Sequence, residues 1–111
     1  MRKRTIAVLL ALTIGAIAAL PVFAATPKIT GTVGPGFTIT MKKPTKAGKY
    51  TLVVSDKSSI HNFHLKGKGV NVRTSIAATG LKTFKITLAK GRYTFLCDPH
   101  PTSMKGSFTI R

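Results

Sequence analysis

The sequence predicts an all-β domain, a Greek-key β-sandwich of about seven short strands. Three observations support this prediction. Apolar and polar residues alternate at period two in several short segments, turn-forming residues separate these segments, and no long window has the i, i+3, i+4, i+7 spacing of an amphipathic helix. Short strands joined by regular turns are typical of sandwiches and small barrels.

The amino-terminal 24 residues have the pattern of an export signal. Three basic residues after the first Met precede an apolar run over residues 6–20, and the small-residue stretch that ends at Ala24 resembles a cleavage site. We therefore predict a signal peptide over residues 1–24 and one domain over residues 25–111. An uncleaved amino-terminal anchor is the alternative. In both cases the domain is expected in the periplasm or on the extracellular face of the membrane.

Four segments show the strand alternation most clearly, with apolar side chains on one face and Thr, Lys or Ser between them. Because successive side chains of a strand point to opposite faces, these apolar residues are expected to face the core. We interpret the mixed stretch from Gly69 to Ala78 as a short strand around Val70–Val72 followed by a turn of helix. The four segments are Phe37-Ile39-Met41, Phe84-Ile86-Leu88, Tyr93-Phe95-Cys97 and Phe108-Ile110.

Glycine and proline mark the predicted connections between strands. Each cluster falls between two apolar segments, which predicts short loops. The clusters are Gly34-Pro35-Gly36, Lys43-Pro44 through Gly48, Gly67 with Gly69, Gly80, Lys90-Gly91, and Pro99 with Pro101.

The predicted domain is small and has one cysteine. A domain of 87 residues buries only about 60% of its unfolded surface. Exported domains of this size are commonly stabilised by disulfides, but Cys97 has no partner in the sequence. A bound metal is the other common stabiliser, and it would also occupy a thiol that is otherwise open to oxidation.

The segment from Tyr93 to Phe108 carries the strongest chemical signal. A predicted strand ends at Cys97, and a short loop with His100 and Met104 follows before the last strand. Thiolate, imidazole and thioether are soft or borderline ligands that suit copper, and two His, one Cys and a weak axial Met form a blue-copper site.

The second histidine ligand is either His61 or His64, the only others in the sequence. Strand alternation separates the two, since His61 shares a face with Phe63 and Leu65 while His64 shares one with Asn62. Phe63 and Leu65 are expected to point into the core. We therefore predict His61 as the ligand and His64 as a solvated strand residue.

These residues resemble the plastocyanin, pseudoazurin and amicyanin group of cupredoxins, the blue-copper proteins. The first ligand of that group stands in a His-Asn pair, matched by His61-Asn62. The other three cluster as Cys-x-Pro-His followed by Met, matched by Cys97, His100 and Met104. The resemblance covers about residues 31–111. It implies that these four ligands hold one copper ion, which cycles between Cu(I) and Cu(II).

The resemblance also implies a role for the residue beside the first ligand. The amide of Asn62 is expected to hydrogen-bond the sulfur of Cys97, and its side chain to join the two ligand loops. One departure concerns the loop, in which three residues separate His100 from Met104. The plastocyanin-like pattern has four and the amicyanin-like pattern two, so the distance from Met104 to copper stays open.

The predicted function is that of an exported type 1 blue-copper protein acting as a one-electron carrier. The alternative is copper storage, delivery or sensing outside the cytoplasm without redox traffic. A third hypothesis is a basic β-domain that coats an anionic polymer. We do not expect an enzyme, because the sequence has no carboxylate pair for acid–base catalysis, no Gly-rich phosphate loop and no CxxC pair.

The charge of the chain indicates the kind of partner. Lys and Arg number 18 against two acidic residues, a formal net charge of +16, and loss of the three basic residues of the signal leaves +13. Such a field attracts anions. We expect a monomer that exchanges electrons with an acidic redox protein, and an anionic membrane or cell-wall surface is a further candidate. Export argues against nucleic acid.

Overall fold

The structure is a computed structural model that describes residues 11, 13–16, 20 and 25–111. The predicted cleavage site after Ala24 and most of the predicted signal peptide lie outside the described residues. In the part of the chain that is described, no helix is long and apolar enough to cross a bilayer.

Within residues 25–111, eight β-strands form two four-stranded sheets. The sheets have the strand orders β2-β1-β3-β6 and β5-β4-β7-β8, and neighbouring strands are antiparallel except β1 and β3, which run parallel. The predicted all-β sandwich is confirmed, with eight strands rather than about seven. The strands are β1 (Lys28–Val33), β2 (Ile39–Met41), β3 (Gly48–Asp56), β4 (His64–Gly67), β5 (Val70–Arg73), β6 (Gly80–Leu88), β7 (Gly91–Leu96) and β8 (Lys105–Ile110).

Aromatic side chains fill much of the space between the sheets. The rings of Phe63 and Phe95 stack with centroids 5.8 Å apart, and those of Tyr93 and Phe108 stack at 5.4 Å. Such pairs contribute about 0.5–1.5 kcal/mol beyond the area they bury. Strand β8 passes so close to Phe95 that a Cβ atom on Gly106 would collide with the ring. Only glycine therefore fits this position beside the loop between β7 and β8.

Strand pairing brings four connections to the same end of the sandwich. Val33 pairs with both Ile39 and Asp56, and Asp56 pairs with Gly80, so the loops that start or end at these residues are neighbours. The other sheet contributes the loop after β7. These four connections, called the end loops below, are residues 34–38, 57–63, 74–79 and 97–104.

Two local predictions were wrong in this region. No turn of helix follows β5, where residues 74–79 are bends and irregular chain. Phe37 does not face the core but lies in the β1–β2 connection and is 63% exposed. The turn that begins at Gly34 extends through Phe37, since the amide of Gly34 donates to the carbonyl of Thr38 at 2.8 Å. The strand alternation therefore starts two residues later than predicted.

Candidate metal centre

Cys97 and Met104 lie at the two ends of a closed loop between β7 and β8. The amide of Cys97 donates to the carbonyl of Met104, that of His100 to Cys97, and that of Met104 to His100, all at 3.0 Å. Pro99 and Pro101 have a fixed φ and no amide hydrogen. His100, whose amide is hydrogen-bonded, therefore lies between two residues with restricted backbone angles. The fold and the sequence together hold this loop in one shape.

His61 lies in the connection between β3 and β4, which is fixed by a buried carboxylate. Asp56 accepts hydrogen bonds from the amide of Ser58 at 3.0 Å and from the hydroxyl of Thr74 at 3.4 Å. The Thr74 oxygen in turn accepts from the amide of Phe63 at 2.9 Å. His61 therefore sits between two tethered residues. The prediction that it lies on a strand was wrong, because β4 begins only at His64.

Three donor atoms converge at this end of the sandwich. The sulfur of Cys97 lies 3.7 Å from Nδ1 of His61 and 3.8 Å from Nδ1 of His100, and all three donors are within 4.8 Å of one another. A metal with bonds of about 2.1 Å to nitrogen and about 2.3 Å to sulfur separates these donors by roughly 3.6–3.8 Å at angles of 110–120°. The observed spacing fits a shared metal ion.

The three residues differ in exposure. Cys97 and His61 are 0% and 1% exposed, whereas His100 is partly exposed. Met104 is fully buried at the base of the same loop. Its assignment as the axial ligand stays a prediction, as does the complete set of four ligands. The chemistry of the set favours copper, since a thioether beside a thiolate and two imidazoles suits a soft metal.

The side chain and amide of Asn62 join the two ligand loops. Its amide donates to the sulfur of Cys97 at 3.5 Å. Its side-chain oxygen accepts from the amide of Asp98 at 2.8 Å, and its Nδ2 donates to the Asp98 carboxylate at 2.7 Å and to the carbonyl of Thr74 at 3.3 Å. The expectation that Asn62 bonds the sulfur and ties the loops is confirmed.

The prediction that His64 is solvated was wrong. The residue is 8% exposed, and both ring nitrogens have partners. Nδ1 lies 2.8 Å from the Asp98 carboxylate, and Nε2 lies 2.5 Å from the side-chain oxygen of Asn71. Strand alternation correctly placed His64 on the outer face of its sheet. At this point the outer face is covered by Asp98, at the start of the loop after β7. Its ring belongs to the hydrogen-bond network behind the metal centre and not to the donor group.

Asp98 is the centre of that network, and its pKa reflects this. Burial raises the pKa of the carboxyl, but hydrogen bonds with Asn62 and His64, together with electrostatic interactions with His64 and Arg73, outweigh burial. The pKa of Asp98 is therefore below the ordinary aspartate value. The ionised carboxylate can accept a hydrogen bond at each oxygen, as its contacts with Asn62 and His64 require.

Phe37 covers the two histidines from the solvent side. Its ring makes edge contacts with His61 at 4.9 Å and with His100 at 5.0 Å between centroids. Sequence reasoning assigned this residue to the core. The glycine-rich turn directly before Phe37 is the sequence signal that indicates its true position, because turns at a sheet end carry side chains over the end of the sandwich.

Comparisons with known proteins agree with this geometry. Residues 28–111 match the family model described as copper binding proteins of the plastocyanin/azurin family. Among solved structures, the chain is similar to auracyanin A, a "blue" copper protein from the green thermophilic photosynthetic bacterium Chloroflexus aurantiacus. That match has 19% identity and a TM-score of 0.53, and covers 78% of this chain and 100% of the other. No curated protein sequence matches the chain.

Proposed function

Because this chain belongs to the plastocyanin/azurin family of copper-binding proteins, we propose that it is an exported one-electron carrier. One observation carries the proposal. The donor atoms of His61, Cys97 and His100 are gathered at metal-binding distances, with His100 partly open to a partner. We propose Met104 as the fourth, axial ligand.

Copper held by these residues would supply the exchange of a single electron between its two oxidation states. The residues of the chain would keep the donor atoms nearly fixed during that exchange. The loop is closed by three backbone bonds, and Asn62 ties it to the His61 loop. A site that does not rearrange between oxidation states has a small reorganisation cost, which is what a carrier requires. The amide of Asn62 also stabilises negative charge on the sulfur.

The surface around the site supports contact with a redox protein. The large apolar residues that are exposed in residues 25–111 all lie in or next to the end loops: Phe37, Ile60, Ile76 and Leu81. Among the 15 basic residues of this domain, Lys57 lies in those loops, and Arg73 and Lys105 are directly next to them. Every lysine outside the loops is exposed. An apolar contact face on a basic body fits a partner that has acidic residues around its own apolar contact.

The proposal is of a carrier and not of an enzyme. Asp56 and Asp98 are the only carboxylate side chains of the sequence, and both are hydrogen-bonded supports of the ligand loops. The amino-terminal 24 residues support export. In a periplasmic or extracellular location a free thiol is open to oxidation and disulfide exchange, and a metal bound to the Cys97 sulfur would prevent both.

Copper titration of the purified protein tests the metal centre. We expect one copper per chain and an intense visible thiolate-to-copper absorption in the oxidised protein. Cys97→Ser should abolish the absorption, and His61→Ala should remove most of it. A protein that binds copper without this absorption would contradict the proposed ligand set.

Redox kinetics test the carrier role separately. Voltammetry and stopped-flow mixing with a soluble electron donor should show fast, reversible one-electron exchange. Copper that stays bound but exchanges electrons slowly, or that passes readily to a chelator, would favour storage or delivery instead. Retention of an anionic polymer by copper-free Cys97→Ala would favour the third hypothesis.

A further inference from the structure

A chain of side-chain contacts runs from the outer face of one sheet to the thiolate. Asn71 on β5 contacts His64 on β4, and His64 contacts one carboxylate oxygen of Asp98. The other carboxylate oxygen accepts from Asn62, whose amide donates to the sulfur of Cys97. The contacts connect β5, β4 and the two ligand loops in one series that ends at the sulfur of Cys97.

The carboxylate of Asp98 needs His64 to keep its orientation. Its side chain is 32% exposed, and the guanidinium of Arg73, which is 64% exposed, lies 3.9 Å from the oxygen that serves Asn62. Without a donor on the other oxygen, the carboxylate is free to turn toward Arg73 and water. Asn62 would then lose its charged partner, which is the strongest type among its three side-chain hydrogen bonds.

We propose that His64 is a positioning residue of the copper site. It holds the Asp98 carboxylate so that Asn62 keeps its amide on the Cys97 sulfur and keeps the two ligand loops at a fixed distance. The ring of His64 touches none of the three donor atoms and acts through Asp98 alone. The role in the copper-loaded protein rests on copper being bound at this site, and does not depend on what the copper is used for.

The sulfur hydrogen bond makes the role measurable. Hydrogen bonding around a ligating sulfur tunes the redox potential, because a donor withdraws electron density from the thiolate. When the Asn62 bond weakens, the oxidised site gains relative stability and the potential falls. Outer-shell partners of metal ligands also affect affinity, typically by about 10- to 100-fold.

Two substitutions at one position separate positioning from packing. His64→Leu removes both ring nitrogens, whereas His64→Asn keeps a donor near the place of Nδ1, toward Asp98. We expect His64→Leu to lower the reduction potential, shift the thiolate-to-copper absorption and weaken copper binding by about 10-fold or more. His64→Asn should restore most of each change. Val70→Ala, a buried change at the far end of the same strand pair, should lower only the melting temperature.

A second variant covers the case in which His64→Leu does not fold. Asn71→Ala alters an exposed residue and removes only the outer partner of the ring, so it should shift the potential in the same direction by a smaller amount. Equal potentials and absorption spectra in wild type, Asn71→Ala and every folded His64 variant would overturn the proposal. So would a His64→Asn protein that behaves like His64→Leu.

The copper-free protein provides a readout that is independent of the proposed function. Proton exchange of the Asn62 side-chain amide, followed by NMR, should speed up by about tenfold or more in His64→Leu, the size expected for one hydrogen bond to a charged group. If the wild type binds no copper, the proposed function fails while this experiment still decides the role of His64. Unchanged exchange in copper-free His64→Leu would show that the ring does not position Asp98.

Discussion

Replacing Asn62 by alanine is expected to weaken the fold and the metal centre together. The side chain is 1% exposed and makes three hydrogen bonds, two with Asp98 and one with the carbonyl of Thr74. Truncation leaves the amide and carboxylate of Asp98 without these partners. Where water does not reach such a group, leaving it unsatisfied costs more than its hydrogen bond contributes.

The magnitude follows from the type and length of each bond. A neutral hydrogen bond contributes about 0.5–1.5 kcal/mol and one to a charged group about 1.5–3 kcal/mol. The 3.3 Å bond to Thr74 belongs at the low end, and the carboxylate of Asp98, at 32% exposure, recovers part of its loss from water. We expect a loss of about 2–4 kcal/mol from a total of about 5–15 kcal/mol.

Thermal unfolding of the copper-free protein, followed by far-UV circular dichroism, measures this loss. For a domain of this size, about 2–4 kcal/mol lowers the melting temperature by roughly 10–30 °C. Asn71→Ala is the matched control, because it removes the same side chain from an exposed position with one hydrogen bond. A melting temperature for Asn62→Ala within a few degrees of the control would refute the argument that Asn62 joins the loops.

Three further predictions follow from the same structure. Copper at a thousandfold excess over its Kd should stabilise the fold by about 4 kcal/mol, and equal melting temperatures with and without copper would rule out metal stabilisation. Because the folded pKa of Asp98 is lowered, its network contributes stability above the ordinary aspartate pKa that is lost as the pH falls from about 5 toward 2. The melting temperature of Asp98→Asn should therefore depend less on pH in this range. Finally, reduction by an anionic reductant should slow with added salt and reduction by a cationic one should speed up, as measured by stopped flow, because exposed charges are screened beyond about 8–10 Å. Rates that do not change with salt for either reductant would show that the basic surface does not steer reductants toward the metal centre.

Local sequence patterns were sufficient to predict the sandwich and the donor group. Cys97 and His100 fall within four residues, so the end of one strand and one loop bring their donor atoms together without help from distant contacts. The choice of His61 depended on the expectation that Phe63 and Leu65 face the core, and both are buried. His61 itself lies before the strand, which begins at His64. Strand β1 was not among the segments with the clearest alternation, because Gly31 stands between Ile29 and Val33 on its inner face.

Non-local contacts explain what could not be predicted. His64 looked solvated because alternation describes the face of a strand and not what covers that face. Its partner Asp98 is 34 residues away. Phe37 was misplaced because the sequence does not mark where a turn ends and a strand begins. Its contacts with His61 and His100 depend on three loops that meet only in the folded sandwich.

The placement of the acidic residues connects the electrostatics of this chain to its metal centre. The sequence has two carboxylate side chains against 18 basic ones, yet within residues 25–111 neither carboxylate is paired with a lysine, and Asp98 lies 3.9 Å from the exposed Arg73. Asp56 supports the His61 loop, and Asp98 supports both Asn62 and His64. A carboxylate accepts hydrogen bonds at two oxygens and donates none, so it can join two donors from separate segments. The chain thus places its two negative charges where they hold the ligand loops in position, and the rest of its charged surface is basic.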